Sequence, residues 1–564
     1  MTHLTGWPVG DRGGLIFDRL ARQYVLQAVF IALAVLAIQA VLVRDFGLTT
    51  DETTFIQSNR QIADWVSRFD SAGWSENFSR ERLQEGWPFA FPGSKNLPLV
   101  SFVSWGGYAL AGRFDAPPIS WRWGNLLLFS ATCGIMFHWL RKEFSTTAAL
   151  AGLAALLGTP RLLANACLFS IDPLVGCFWI LASWALVQSR HGWGWPIAFS
   201  VLAGMGLCAK PTFWFAVPVW LVWGMRFRGR SFFRPLICLM TISPLVALLF
   251  APMWWSNPIS GALDYLELLR SPQGWTGVDA YYLGEVYQMP GTEASIPWHA
   301  VPLLSLVTTP LWVCCLFLTG LFFWYRSERR SDVVSLWAAS ALILPLVVML
   351  PSTPGHDGVR LFLPSFFFVA MIAGYGFHRW AEWARQKRHR GEADPTSPET
   401  PTRSELAVIV GLFCLSVWPC WRIHPGELSY YNMLVGGFRG AAEPVQLSAS
   451  SPVNPRPLYE RTYWWDVVDA NDWQEMQEKL PPGAALWVFP DFIGLELLQE
   501  WGQLRKDLRI VHQPNTAQFV MIYGRLGRIT SPQVDPLGKR FFHGKPLWER
   551  RIDGVRVAAL FRWR

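Results

Sequence analysis

Residues 24–43 read YVLQAVFIALAVLAIQAVLV, and residues 48–55 that follow read LTTDETTF. A helix needs about 20 mainly apolar residues to cross a bilayer, and the first stretch is an uncharged run of that length. It predicts a membrane anchor, because it is long for a signal-peptide core and ends in VLVRDFG without a small-residue cleavage pattern. A cleaved signal peptide is the alternative. The second stretch places two adjacent acids, Asp51 and Glu52, where the chain leaves the bilayer.

The composition of the whole chain agrees with a membrane protein. Of its 564 residues, 51% are hydrophobic and 16% are charged, against about 25% charged in a soluble domain. The 33 Trp residues suit the membrane interface, where an indole ring is partly hydrated. Lys and Arg are spread over short loops, so the net charge of +8 does not indicate nucleic-acid binding. All nine Cys residues lie in apolar stretches, which indicates small core residues rather than a disulfide framework.

Eleven apolar runs are candidates for membrane-spanning helices. They cover residues 24–43, 119–139, 146–163, 173–189, 194–209, 212–225, 235–252, 299–324, 333–350, 360–378 and 405–421. The sixth run is short for a crossing and also fits a re-entrant segment. The sequence therefore predicts a polytopic α-helical membrane protein with about 11 transmembrane helices.

Basic residues in the short loops predict the sidedness of the chain, because Lys and Arg are retained on the cytoplasmic side. With residues 1–23 in the cytoplasm, alternate loops carry Arg141, Lys142, Arg190, Arg226, Arg228, Arg230, Arg234, Arg326, Arg329 and Arg330. The polar, Pro-rich segment 379–404 is then a cytoplasmic linker within a transmembrane domain at 24–421. In the plasma (inner) membrane, three larger segments lie on the extracytoplasmic side: 44–118, 253–298 and 422–564.

The segment 422–564 has a different pattern from the rest of the chain. Amphipathic helical stretches such as LELLQEWGQLRKDLRIVH alternate with short apolar runs such as ALWVFP and FVMIYG. Such alternation predicts a small α/β domain. It contains no Gly-rich phosphate fingerprint and no acid–base constellation, so we expect a structural or acceptor-facing role for it.

The pair Asp51 and Glu52 opens a stretch with helical periodicity. Apolar residues recur at helical spacing from Phe55 to Phe69, which predicts an amphipathic helix on the outer membrane surface. The structural interpretation of the pair is a helix cap, with Thr50 or Asp51 as N-cap and the acids near the positive end of the helix dipole. The functional interpretation is a catalytic carboxylate, and it depends on further charges nearby.

A second acid, Asp172, supports the functional interpretation. It is the only carboxylate between Glu143 and Asp264, and it lies at the outer end of the fourth apolar run. A lone carboxylate at such a depth is costly unless it has a partner or a function. An N-cap ahead of Pro173 is again the structural alternative.

Four cations on the predicted outer side complete a candidate site for an anionic group: Lys95, Lys210, Arg270 and Arg360. Arg can hold a phosphate through two parallel hydrogen bonds, and Lys binds it as a point charge. The structural alternative for each is snorkelling to the membrane surface. A metal site would need converging His and carboxylate ligands. His356 and Asp357 are the only weak candidates, so no metal site is predicted and a divalent ion is left open.

In this order and sidedness, the motifs resemble the GT-C superfamily of membrane glycosyltransferases. The likeness is to family 39, which includes protein O-mannosyltransferase-like enzymes, to aminoarabinose transferases acting on lipid A, and to an uncharacterised bacterial branch. The stretches that carry the resemblance are TTDETTF at 49–55, RWGNLLL at 122–128, RKEFSTTAALAGLAALL at 141–157, SIDPLVGCFW at 170–179, GLCAKPTFW at 206–214, SIPWHAVPLL at 295–304, HDGVRLFLPSFFFVAMIAGYG at 356–376 and HPGELSYYNMLVGGFRGA at 424–441.

The resemblance implies that a sugar moves from a polyprenyl-phosphate donor to an acceptor hydroxyl on the extracytoplasmic face, with inversion at the anomeric carbon. Asp51 would be the general base, Glu52 would orient Asp51 or the acceptor, and Asp172 would be a second positioning carboxylate. The resemblance matches Lys95 and Arg270 to cations that bind the donor phosphate. It implies no cofactor besides the donor. The acceptor would be a lipid, a glycan or a protein, in cell-envelope or protein glycosylation.

Two other classes of function fit part of the sequence. A transporter or flippase for a lipid-linked or anionic substrate would explain intramembrane charges, but the chain shows no internal repeat and its acids cluster on one face. A non-catalytic scaffold would explain the segment 422–564, but not the acids and cations at the outer interface.

Overall fold

The structure is a computed structural model that describes residues 11–69, 73–89, 96–270, 280–287, 296–328, 330–351, 353, 355, 357–388, 401–443, 457–490, 492–530 and 535–563, without the side chains of residues 11–22, 74 and 535. Helix lies in every segment predicted to cross the membrane. These helices are Asp11–Leu42, Ile119–Glu143, Thr146–Leu157, Pro160–Cys167, Ile171–Gln188, Gly194–Leu207, Ala216–Arg228, Phe233–Leu249, Ala300–Thr308, Leu311–Arg326, Asp332–Val348, Ser365–Arg388 and Arg403–Ile423.

Within the described residues, four helical stretches are long and apolar enough to cross a membrane on their own: Gln23–Leu42, Ile171–His191, Pro211–Leu249 and Arg403–Ile423. Two bent pairs raise the number to as many as six, with bends of 73° before Pro160–Cys167 and 118° before Leu311–Arg326. Each bend has a proline at the break, where the helix loses a backbone donor. The chain is therefore a multi-pass membrane protein, and the count of eleven crossings stays a prediction.

Burial differs strongly among these helices. In the apolar stretch of Ile171–His191, 89% of the residues are buried inside the protein. In Gln23–Leu42 and Arg403–Ile423 the corresponding share is only 17%. The two peripheral helices expose large apolar side chains, among them Phe30, Leu33, Leu415 and Trp418. Such a surface requires lipid to cover it.

The positions of the basic residues predict two groups of loops, one on each side of the membrane. The ion pairs between loops join members of the same group. In the group predicted to be cytoplasmic, Arg190 and Arg228 both pair with Asp332. In the group predicted to be outside, Arg60 pairs with Glu500 at 2.7 Å. No ion pair between described residues joins the two groups. Which group faces the cytoplasm stays a prediction.

The loop segments predicted to lie outside contain short helices and one hairpin. Thr50–Ser67, Trp74–Asn77, Arg80–Gly86 and Leu99–Leu110 follow the first membrane helix, and Pro258–Arg270 precedes a hairpin of strands β1 (Ala280–Tyr282) and β2 (Glu285–Tyr287). The helix Thr50–Ser67 buries Phe55, Ile56, Ile62 and Trp65 on one face. Their helical spacing explains why this segment packs as a helix.

The C-terminal part is an α/β unit. Strands β3 (Ala485–Phe489), β4 (Arg509–Val511), β5 (Phe519–Tyr523), β6 (Trp548–Ile552) and β7 (Val555–Arg562) form one sheet in the order β4-β3-β5-β7-β6. Strand β3 is parallel to β4 and β5, and β7 is antiparallel to β5 and β6. The helices are Gly437–Ala442, Ala470–Gln477, Leu495–Glu500, Leu526–Ile529 and Asp535–His543.

Both faces of the central strands are buried, which explains their almost continuous apolar sequences FVMIY and VAALF. Val520 and Ile522 face a cluster that includes Phe541 of the last helix. Met521 and Tyr523, on the other face, belong to the same hydrophobic core as the membrane helices. The C-terminal domain therefore shares a core with the helical bundle, and this packing brings residues of the domain to the candidate site.

Candidate active site

Asp51 lies in the first turn of the helix Thr50–Ser67. The N-cap is Thr49, one residue before the two that the sequence pattern suggests as caps. Its hydroxyl accepts from the Glu52 amide at 3.3 Å, and the Glu52 carboxylate accepts from the Thr49 amide at 3.0 Å. This capping box fixes the helix N-terminus without using Asp51. The Asp51 side chain is 33% exposed, whereas that of Glu52 is 1% exposed.

Both oxygens of the Glu52 carboxylate accept hydrogen bonds from groups inside the protein. Its two oxygens accept from Nε and Nη2 of Arg122 at 2.7 and 2.8 Å, and Oε1 also accepts from the Phe169 amide at 2.8 Å. Arg122 is completely buried, and its other donors reach the carbonyls of Val43, Phe46 and Gly47 at the end of the first membrane helix. The role predicted for Glu52, to orient Asp51 or the acceptor, stays a prediction. The side chain fixes the backbone that carries Asp51.

Asp172 is completely buried and binds two cations that sequence analysis assigns to the donor phosphate. Its Oδ1 accepts from Lys210 Nζ at 2.6 Å, and its Oδ2 accepts from Arg360 Nε at 2.8 Å. Arg360 Nη2 in turn donates to Asp51 Oδ2. The fold thus joins Asp51 and Asp172 through one guanidinium. Lys210 and Arg360 therefore both pair with carboxylates, and their assignment to the donor phosphate stays a prediction.

A third acid, Asp357, completes the cluster. Its Oδ2 accepts from Arg360 Nη1 at 3.1 Å, and its Oδ1 accepts from Arg525 Nη2 at 2.7 Å. The guanidinium of Arg360 also lies 4.2 Å from the ring centre of Trp464, in cation–π contact. Three carboxylates (Asp51, Asp172, Asp357) and three cations (Lys210, Arg360, Arg525) therefore meet with balanced formal charge. We call these six residues the acid–base cluster.

The remaining predicted site residues are not brought to this cluster. Arg270 ends the helix Pro258–Arg270, is exposed, and has no described contact with the cluster. Lys95 and His356 lie outside the described residues. Among the residues that the structure describes, no group of three or more His, Cys, Asp or Glu side chains is placed to hold a metal ion.

Four side chains near the cluster are absent from the sequence-based site: Arg122, Arg161, Trp464 and Arg525. Arg161 is buried, donates from Nε to the Tyr430 carbonyl at 3.1 Å, and lies between the rings of Tyr431 and Tyr463. Arg122 and Arg161 could have been noticed from the sequence, because each is a basic residue inside an apolar run. A charge in such a place is costly to bury without partners. Nothing in the local sequence distinguishes Trp464 and Arg525 from other residues of the C-terminal domain.

Two recesses are close to these elements. A narrow recess of about 10 Å³ lies beside the cluster, lined by Arg161, Asp357, Arg360 and Trp464 among others. A larger recess of about 100 Å³ lies between the helices Arg80–Gly86 and Pro258–Arg270. The Asp51 carboxylate is one-third exposed and is positioned by Arg360, an arrangement that can accept a proton from a polar substrate.

No family model matches the chain, and no curated protein matches its sequence. Among solved structures, the chain is similar to ArnT from Cupriavidus metallidurans bound to undecaprenyl phosphate, with 14% identity, a TM-score of 0.48 and coverage of 96% of this chain and 98% of that one. ArnT in the apo state gives the same identity and coverage with a TM-score of 0.47. The archaeal oligosaccharyltransferase AglB from Archaeoglobus fulgidus, in complex with an inhibitory peptide and a dolichol-phosphate, gives 10% identity, a TM-score of 0.45 and coverage of 90% and 72%.

Proposed function

We propose that the protein is a membrane glycosyltransferase, which moves a sugar from a polyprenyl-phosphate donor to an acceptor hydroxyl on the extracytoplasmic face with Asp51 as general base. One observation carries the proposal. Asp51 is the one carboxylate of the acid–base cluster with substantial exposure, and it stands just after the membrane anchor. A donor with a lipid tail has its phosphate and sugar at that level of the membrane.

The proton transfer uses the oxygen of Asp51 that does not accept from Arg360. Oδ2 accepts from Arg360, and Oδ1 makes no hydrogen bond with a described residue. In the proposed step, the acceptor oxygen forms a bond to the anomeric carbon while the bond from that carbon to the phosphate oxygen breaks. The hydroxyl proton moves to Asp51, and the electron pair leaves with the lipid phosphate. Attack opposite the leaving group inverts the anomeric carbon.

The cations have separate roles in this proposal. Arg360 and Lys210 hold Asp172, and Arg360 holds Asp51 in place for the acceptor. Cations stabilise the charge that gathers on the departing phosphate. Arg270, which is exposed, is proposed for this role together with Lys95. The sugar would be a hexose or pentose, the acceptor a lipid, glycan or protein, and the membrane the plasma (inner) membrane with the N-terminus cytoplasmic. A divalent ion remains open as a cofactor.

The test is sugar transfer in proteoliposomes that contain a panel of labelled undecaprenyl-phosphate sugars and a membrane extract as the acceptor source. We expect Asp51→Asn to lose about 10²–10⁴-fold in rate, the range of a general base. Asp64→Asn is the matched control, because Asp64 is an exposed acid on the same helix. Equal rates for Asp51→Asn and the wild type would remove Asp51 from the chemistry.

The competing function is transport of a lipid-linked or anionic substrate. The buried charge of Asp172 inside a helical bundle is the observation in its favour, because such charges also mark transport paths. The same proteoliposomes distinguish the two functions. Movement of labelled lipid between the leaflets without transfer of sugar would establish transport and contradict the proposed enzyme.

A further inference from the structure

Two residues of the C-terminal domain reach the acid–base cluster. Arg525 follows strand β5 and donates from Nη2 to Asp357 Oδ1 at 2.7 Å. Trp464 donates from Nε1 to Asp357 Oδ2 at 3.3 Å, and its ring stacks on the Arg360 guanidinium at 4.2 Å. Both side chains of this domain are therefore connected to the membrane part of the cluster through Asp357 and Arg360.

Asp357 is held in one orientation by these contacts. Its φ of +58° is unusual for a residue with a side chain, and the left-handed conformation is kept only where the surroundings determine it. Its carboxylate has cations on both sides, Arg525 from the C-terminal domain and Arg360 from the membrane domain. The position of this carboxylate therefore depends on the docked domain.

The charge balance predicts what happens without Arg525. Asp357 is almost completely buried, so its carboxylate needs a second cation once Arg525 is removed. Among the described residues, Arg360 is the cation that still contacts it, through Nη1 at 3.1 Å. A stronger contact there draws the guanidinium away from its other partners, of which Asp51 is the exposed one.

We propose that Arg525 is a positioning residue that acts through Asp357 to keep Arg360 in contact with Asp51. The C-terminal domain then completes the catalytic site of the membrane domain instead of only covering it. This inference rests on the proposed function, in which Asp51 is the general base. Trp464 supports the same geometry by holding the flat face of Arg360.

The first test is a double-mutant cycle in the sugar-transfer assay, with Arg525→Ala, Asp357→Asn and the double variant. We expect Arg525→Ala to lower kcat at least tenfold while KM for the donor changes less than threefold. In the Asp357→Asn background, the same substitution should lower kcat less than threefold, because the carboxylate through which it acts is gone. Independent, multiplicative losses would contradict the proposal.

A purely structural role for Arg525 is tested with two further variants. Arg525 also donates to the Tyr463 carbonyl at 3.1 Å, so its removal could loosen the domain. Arg525→Lys keeps the charge next to Asp357 and should recover part of the lost kcat. Arg551→Ala is the matched control, because it removes an exposed arginine of the same domain that pairs with Glu549. A loss of kcat in this control as large as in Arg525→Ala would refute a specific role.

The second test does not depend on activity. Carboxyl labelling with a carbodiimide, read by mass spectrometry, reports how accessible Asp51 is. We expect labelling of Asp51 to increase severalfold in Arg525→Ala and to remain unchanged in Arg551→Ala. Asp115, a 20% exposed acid that pairs with Arg44 outside the cluster, is the internal reference. Increased labelling together with no transferase activity in the wild type would contradict the proposed function but support the positioning. Unchanged labelling would overturn the positioning alone.

Discussion

Asp51 and Glu52 are neighbours in the chain, but the structure uses them in opposite ways. Glu52 forms a closed pair with Arg122, in which both side chains are buried and both carboxylate oxygens are bonded to it. Asp51 is a partly exposed member of a cluster in which one arginine serves three acids. The difference teaches that the partners of a carboxylate decide its role. A closed pair gives structure, while a shared cation leaves an oxygen for a substrate.

Replacing each of the two neighbouring acids by its amide is expected to give the largest difference in the free energy of unfolding. Glu52→Gln should lower the free energy of unfolding by about 3–5 kcal/mol, because Arg122 stays buried without a counter-charge. Asp51→Asn should change it by less than about 1 kcal/mol, because its carboxylate is partly exposed to solvent. Denaturant unfolding in detergent, followed by Trp fluorescence, measures both. A greater loss of stability in Asp51→Asn would reverse the assignment of roles.

The cluster should tolerate loss of one cation better than the closed pair does. Lys210→Met removes one hydrogen bond to a buried charge and should lower the free energy of unfolding by about 1.5–3 kcal/mol, because Arg360 still binds Asp172. In an Asp172→Asn background, the same substitution should lower it less, because the partner charge is absent. The same unfolding assay measures the cycle. Equal losses in both backgrounds would show that Lys210 does not act through Asp172.

His424 lies at the junction of the last membrane helix and the C-terminal domain. The stability that its charge contributes there depends on pH. Burial alone would lower its pKa, but the hydrogen bond and charge of Glu427, with those of Asp45, raise the pKa of His424 to about 9. Because the folded value is above the unfolded value of about 6.5, this stabilisation is complete below pH 6.5 and is lost as the pH rises to about 9.

His424→Gln should therefore lower the stability of the protein at pH 6 and have much less effect at pH 9.5. Thermal unfolding of both proteins across this range measures the difference. The same destabilisation at both pH values would mean that packing of the ring, and not its charge, stabilises the junction.

The smallest effect is expected for an exposed pair on the helix that carries Asp51. Arg68 and Asp64 are one turn apart, and both side chains are well exposed. Arg68→Ala should change the free energy of unfolding by about 0.2–1 kcal/mol, because solvent screens the pair. High salt should reduce this change further, whereas the effect of Glu52→Gln should persist in salt. A salt-resistant effect at Arg68 would remove the contrast between exposed and buried pairs.

Local patterns predicted the helices well. Apolar runs coincide with helix wherever a span was expected, because a chain in lipid must satisfy its own backbone hydrogen bonds. The periodicity after Phe55 matches the buried face of Thr50–Ser67. The breaks before Pro160 and Leu311 were not predicted, although each has a proline close to it, since a proline inside an apolar run also occurs in unbroken membrane helices.

The candidate site was predicted only in part. The sequence singled out Asp51, Asp172, Lys210 and Arg360, and the structure brings these four together. It did not indicate that the cations would pair with the acids, because residues 51, 172 and 360 are far apart in the chain and only packing sets their distances. The role of Arg122 was missed for the same reason.

The sequence by itself determined that the chain is a membrane protein with helices at defined positions, and it predicted an α/β pattern in the C-terminal part. It also identified the acids where the chain leaves the membrane. These properties follow from local hydrophobicity and charge, which are properties of short segments. Only the tertiary structure decided that Glu52 is closed in a pair, that Asp51 shares Arg360 with two other acids, and that Arg525 and Trp464 reach them from the C-terminal domain. Such contacts depend on how segments that are far apart in the sequence pack together. A local sequence pattern contains no information about that packing.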